Sequence, residues 1–379
     1  MIGLLTLVLV QGWQAFAPMP TPGYGFACAA VGSRVYAIGG LRAWTDTAVP
    51  RLAVEAYDAT TDTWVVGYAP PPGARMYPGC AALDGKIYVI GGWDGHSDLS
   101  RVDRFDPSTN TWDTVAPLPW RRWALAGCAH EGIIYAIGGF STALGTYQST
   151  VARFTSDSGP GHWDVVESLK TPRTSPAAAV AGGRMCVVGG RFYNDLSTWE
   201  WYQSDTWALS FRHMNSTRSG AAAVGWGNRL FAIGGQGSHG PRSSVEMVNV
   251  DSGFWTYTAA MSTPRVFCGA AVVSGFVVVI GGRDAYGAVD SVEKADSTLF
   301  VGIEESHAEM PMRNAPSWAT VASGRVRITC RSAVIFDGSG RRVFAGSGPV
   351  DVRLVPGVYF ARVTDGDDRF VTGTITVVR

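Results

Sequence analysis

The sequence predicts an all-β chain, a six-bladed β-propeller followed by a small C-terminal β-sandwich. Three observations predict it. Six glycine pairs recur, at Gly39-Gly40, Gly91-Gly92, Gly138-Gly139, Gly189-Gly190, Gly234-Gly235 and Gly281-Gly282, and each ends a short apolar run. Successive first glycines stand 52, 47, 51, 45 and 47 residues apart, a period that belongs to propeller or solenoid arrays. Tryptophans keep the same beat: Trp13, Trp64, Trp112, Trp163, Trp207 and Trp255 each precede the next diglycine by 26 or 27 residues. The composition agrees, with 47 glycines and 14 tryptophans in 379 residues, 46% hydrophobic. That supplies many turns and a large core.

Each repeat divides into four strands. In the second, a small-residue strand covers Gly79–Leu83, and Asp84-Gly85 follows, a pair favoured in two-residue hairpins. An aromatic and β-branched strand then runs through Tyr88 into the glycines. A third strand covers Val102–Asp106, a turn occupies residues 107–110, and a fourth strand begins at Trp112. Trp13 therefore holds a fourth-strand position with no strands before it, whereas the third strand at residues 291–295 has no tryptophan after it in register. The N-terminal segment is expected to complete the last blade, closing the ring and removing both sheet edges.

The diglycine, the nearby aromatic and the downstream tryptophan resemble the Kelch repeat, and the match covers residues 13–300. The resemblance implies a propeller that binds partners, in adaptor proteins acidic peptides, on one face. Strand direction puts two loop types on that face: the loop after each diglycine and the loop entering each innermost strand. Sixteen residues before each diglycine, in the entry loops, stand Gly23, Arg75, Arg122, Arg173, Arg218 and Arg265. The post-diglycine loops add Trp93, Arg191, Tyr193, Arg283 and Tyr286. Arginines among aromatics suit a carboxylate or a sugar, through bidentate hydrogen bonds and stacking. The five arginines and these five loop residues are the expected ligand-binding set, for an acidic protein or glycan ligand. The competing reading has the arginines hydrogen-bonding carbonyls of neighbouring blades.

Other chemistry is sparse. Net charge is zero, which excludes a global electrostatic footprint for nucleic acid. The six histidines show no metal-site spacing, and no nucleophile elbow, phosphate loop or dinucleotide fingerprint occurs. No metal, cofactor or catalytic residue is assigned. Asp94 and Asp284 are expected to form turns. Cys28, Cys80, Cys128 and Cys268 are expected to fall in the small-residue first strands as core thiols; Cys186 and Cys330 have no evident partner. An enzyme acting on an acidic sugar, similar to the six-bladed Kelch mutarotases of sialic acid, is the alternative function.

Both ends point to export. Residues 1–12 are apolar like a signal peptide and too short to span a bilayer, and no other segment is long enough to do so. Residues 301–320, with Pro311 and Pro316, are expected to be a linker. Residues 321–379 alternate in the manner of a sandwich. Their Phe336-Asp337-Gly338-Ser339-Gly340 and Leu354-Val355-Pro356-Gly357-Val358-Tyr359-Phe360 resemble the C-terminal sorting domain of bacterial type IX secretion, although the chain ends in arginine where lysine is common. The resemblance implies an export machinery as partner and a secreted or cell-surface location.

Overall fold

A computed structural model describes residues 12–42, 49–156 and 159–296, together with the backbone of the strands between residues 319 and 377. The expected signal segment, the linker up to residue 318 and Cys330 lie outside the described residues. Residues 12–297 form one compact unit, and the tail strands belong to another.

The first unit is a ring of six four-stranded antiparallel sheets. Their innermost strands are Ala27–Val31, Gly79–Leu83, Ala126–His130, Ala177–Ala181, Ala222–Trp226 and Gly269–Val273. Each packs against the next, and the last returns to the first. Small residues permit the approach: a Cβ on Gly127 would lie 2.5 Å from the Cys80 nitrogen. Apolar cores fill the gaps between blades. Between the third and fourth, for example, Tyr135 and Ile137 meet Met185, Val187, Tyr202 and Trp207.

Closure follows the tryptophan register. The strand Gln14–Phe16 pairs with Val292–Asp296, Gln14 opposite Lys294 and Phe16 opposite Val292. The Trp13 indole donates to the Ala259 carbonyl of the preceding blade at 2.9 Å. Trp64, Trp112 and Trp163 make the same bond to Ala17, Ala69 and Ala116. Lys294 is buried at the closure. Its ammonium donates to the Ala59 carbonyl and sits 3.7 Å from the Phe16 ring centre, with Tyr57 and Phe276 on other sides.

Asp84 and Gly85 adopt φ of 51° and 73°, the left-handed pair that a type I′ hairpin requires. In the tail, two antiparallel sheets are present. One joins Ala319–Ala322, Arg325–Ile328 and Val350–Arg353; the other joins Arg342–Ser347, Ser332–Asp337, Gly357–Thr364 and Phe370–Val377.

Candidate functional site

The face that carries the entry and post-diglycine loops is built on one backbone rule. In every blade, the residue after the arginine position bridges to the residue after the diglycine, as Trp123 does to Phe140 and Thr174 to Arg191. The next residue of each entry loop lies in the left-handed region: Gly25, Tyr77, Ala124, Ser175, Gly220 and Phe267, with φ between 49° and 63°. These six donate and accept head to tail. Tyr77 donates to Gly25, Ala124 to Tyr77, Ser175 to Ala124, Gly220 to Ser175, Phe267 to Gly220 and Gly25 to Phe267, at 2.7–3.0 Å. A closed circle of backbone hydrogen bonds surrounds the propeller axis.

The circle borders a vestibule of about 110 Å³ lined also by Pro78, Leu125 and Pro176. Two rings lean across it. Tyr77 and Phe267 meet edge to face at 4.8 Å. Glycines make room for them, since a Cβ on Gly25 would lie 2.7 Å from the Tyr77 ring and one on Gly220 2.5 Å from the Phe267 ring.

The five arginines do not face this space, a correction to the expected ligand-binding set. Arg75, Arg122, Arg173, Arg218 and Arg265 are buried to within 1% of complete. Each sends Nη1 to the carbonyl of the first glycine of its own blade, at 2.7–3.1 Å. Each offers its own carbonyl to the second glycine of the preceding blade, as Arg75 does to Gly40 and Arg173 to Gly139. The first glycine of that preceding pair tolerates the same carbonyl where a Cβ would come within 2.7 Å of it. Diglycine and arginine are thus two halves of one stitch between blades.

Four of the five also hold a buried carboxylate through Nη2: Arg75 to Asp103, Arg173 to Glu200 at 2.6 Å, Arg218 to Glu246 at 2.7 Å and Arg265 to Glu293 at 2.6 Å. The glutamates in turn accept two backbone N–H groups of the entry loop, from Lys170 and Thr171, Asn215 and Ser216, and Ser262 and Thr263. Burial pulls the Arg75 and Arg122 guanidiniums down to about 10, and lowers Arg173 and Arg218 as well. All stay cationic at neutral pH. The first blade, with Gly23 in place of arginine, brings in Arg51. Its Nη2 pairs with Glu55 at 3.0 Å, and its Nη1 lies 2.7 Å from where a Gly23 Cβ would be.

What faces outward is aromatic. Tyr77 contacts Trp123 at 5.8 Å, and Trp123 contacts Trp93 at 6.2 Å and Phe140 at 6.1 Å. Phe140 reaches Tyr147 at 5.3 Å, which reaches Tyr193 at 5.4 Å and Phe192 at 5.6 Å. The arc crosses the second, third and fourth blades. Two short hairpins raise its far end, Phe140–Ser141 with Thr146–Tyr147 and Arg191–Phe192 with Asn194–Asp195. Tyr193 sits between the latter strands at φ 58° and is 70% exposed.

Of the other predicted residues, Trp93 belongs to the arc, Arg191 is exposed beside Tyr193, and the Arg191 Nε donates to the Tyr193 carbonyl. Arg283 is half-buried and lies close enough to Tyr24 and Tyr77 to act on their ionisation. Tyr286 is almost wholly exposed on a separate turn. Trp123, Tyr77 and Tyr147 were missed. Trp123 and Tyr77 lie one and two residues after the arginine position, and that offset was the available signal.

Asp94 and Asp284 are turn formers. Asp94 Oδ1 accepts from His96 and Ser97, and Asp284 Oδ1 from Tyr286 and Gly287. Among the described residues no group of three or more potential metal ligands gathers, and the five described cysteines are free thiols. No described helix is long and apolar enough to cross a membrane.

Comparison with known proteins places this architecture. The Kelch motif matches residues 74–119 and 217–262. The chain is similar to Kelch-like protein terF of Aspergillus terreus, 29% identical over 283 residues, covering 69% of this chain and 61% of that one. It is also similar to human Kelch-like protein 23, 24% identical over 78% of this chain and 43% of that one. Mouse Kelch-like protein 35 is 30% identical over 49% of this chain and 30% of its own. The chain thus spans less than two thirds of the length of these relatives. Among solved structures, that of YjhT aligns with a TM-score of 0.63 at 16% identity, over 73% of this chain and 96% of that one, a likeness of fold.

Proposed function

We propose that this Kelch-repeat propeller is an exported binding protein that takes a protein or glycan ligand on the aromatic arc of its mouth face. One observation carries the reading: Tyr77, Trp123, Phe140, Tyr147 and Tyr193 form an unbroken run of ring contacts along one rim of the axis. Such rings offer large, rigid, partly polar contact area at low entropy cost. They suit the C–H face of a sugar, or proline and aromatic side chains of a peptide. The exposed Arg191 guanidinium beside Tyr193 adds a contact for an acidic group, in place of the buried arginines.

Export rests on the apolar N-terminal segment and on the tail, whose Phe336–Gly340 and Leu354–Phe360 stretches resemble a type IX sorting domain. A glycan and peptide array probed with the full chain and with Trp123→Ala and Tyr193→Ala tests the binding site. A ligand whose capture survives both substitutions sinks the arc. Fractionation tests export: mature protein retained in the cytoplasm rejects it.

A further inference from the structure

The third blade breaks the arginine rule in a way that leaves a charge uncompensated. Arg122 is buried like its counterparts, with 1% exposure. Its Nη1 donates to the Gly138 and Thr150 carbonyls, both at 3.1 Å. Its Nη2, the atom that meets a carboxylate in the second, fourth, fifth and sixth blades, has no hydrogen-bond partner. The cause is in the third strand. Asp103, Glu200, Glu246 and Glu293 are each the second residue of theirs; in Val151–Thr155 that residue is Ala152.

Two of the surrounding donors are nonetheless retained, the hydroxyl and one backbone N–H. Thr150 occupies the register of Ser244 and Ser291, whose hydroxyls lie 3.2 and 2.7 Å from the arginine Nη2 of their own blades. The Thr150 hydroxyl is buried and without a partner. Trp120 occupies the register of Thr171, Ser216 and Thr263, the residues whose N–H groups donate to the glutamates. Pro119 replaces the second donor, as Pro72 does in the aspartate-bearing second blade. The Trp120 ring stands 5.8 Å from the guanidinium, and with about half its surface exposed it is the outermost wall. A buried guanidinium without a counter-charge costs several kcal/mol, and arginine does not shed its proton to avoid this.

We propose that Arg122 binds a small monovalent anion, chloride in ordinary salt, at the position that a carboxylate fills in the other arginine-bearing blades. The anion takes the Arg122 Nη2, the Thr150 hydroxyl and the Trp120 N–H. The site is a structural anion site in the wall of the third blade, built from entry-loop and post-diglycine-loop residues and using none of the ring-to-ring contacts of the aromatic arc. The chemistry selects for single charge and small size, because the space is that of a carboxylate and the protein supplies one cation.

The test uses the full chain at constant ionic strength, in sodium gluconate, chloride or bromide. Wild type is expected to melt about 2–4 °C higher in chloride or bromide than in gluconate, as an ion bound only by the native state requires. Ala152→Asp, which copies the second blade, is expected to lose that dependence. General salt effects act on both proteins alike and cancel in the comparison. Crystals grown in bromide should show anomalous density within hydrogen-bonding reach of Arg122 in wild type. Should A152D not fold, Thr150→Val serves, with a higher halide concentration needed for the same shift. Equal salt dependence in wild type and variant, or crystals without bromide at Arg122, overturns the proposal.

Discussion

A single buried ion pair shows how the repeat allocates its arginines. Arg218 joins three carbonyls of its own blade, two serine hydroxyls and Glu246, and is itself fully buried. Glu246→Gln should cost about 3–5 kcal/mol, because it leaves the guanidinium without its charge, whereas Arg218→Met with Glu246→Leu should recover most of that loss; denaturant unfolding of the three variants measures it. If Arg218 were a ligand contact, the single substitutions would weaken binding with little effect on stability. The cysteines act at the same scale. Burial raises Cys80 and Cys128 to about 12, against about 8.5 in an unfolded chain. The unfolded thiols lose protons first, so their share of stability is whole below about pH 8.5 and falls as pH rises toward 12. A urea midpoint that stays level across that range contradicts this. Sequence spacing located the arginines but could not orient them, since register gives a place along a loop and not the direction of a side chain. The missed clue was an acid 27 or 28 residues onward in four of five cases, at Asp103, Glu200, Glu246 and Glu293.

Strands, by contrast, were legible. The blade boundaries and the closure by Trp13 follow from spacing, because each of the six repeat diglycines sits where a neighbouring residue comes too near for a Cβ. Closure makes the Gln14–Phe16 strand disproportionately valuable. It covers the edge of Val292–Asp296 and brings Phe16 onto Lys294. Trp13→Ala should cost about 3–5 kcal/mol in thermal or chemical denaturation. Removing residues 12–16 should leave an open edge that pairs with another copy, visible as dimers or larger species on gel filtration. A monomer as stable as the full chain would show that the ring closes by other means. The hairpins that raise the aromatic arc were not legible, because their strands are two residues each and carry no periodicity.

At the scale of the whole propeller, the buried interblade bonds and the outward-facing rings are separated in space. The stitches lie inside the walls, and the rings lie on the rim. Tyr193→Ala should therefore change stability by no more than about 0.5 kcal/mol, yet weaken a ligand seated on the arc by about 30-fold, as loss of an aromatic anchor does. Isothermal titration beside a melting curve separates the two effects. A matched loss of stability and affinity would mean that the arc is structural.

The circle of six backbone hydrogen bonds around the axis has one more consequence. A helix aligns its peptide dipoles along a line and so ends in partial charges with unsatisfied groups. Here donor N–H groups and acceptor carbonyls alternate around a loop from Gly25 through Phe267 and back. The loop is closed, so there is no first donor or last acceptor to cap. The N–H groups and carbonyls of the circle are engaged with one another and not held out toward an approaching ion. Discrimination among ligands at this end of the propeller is left to side chains, which differ from blade to blade while the circle beneath them does not.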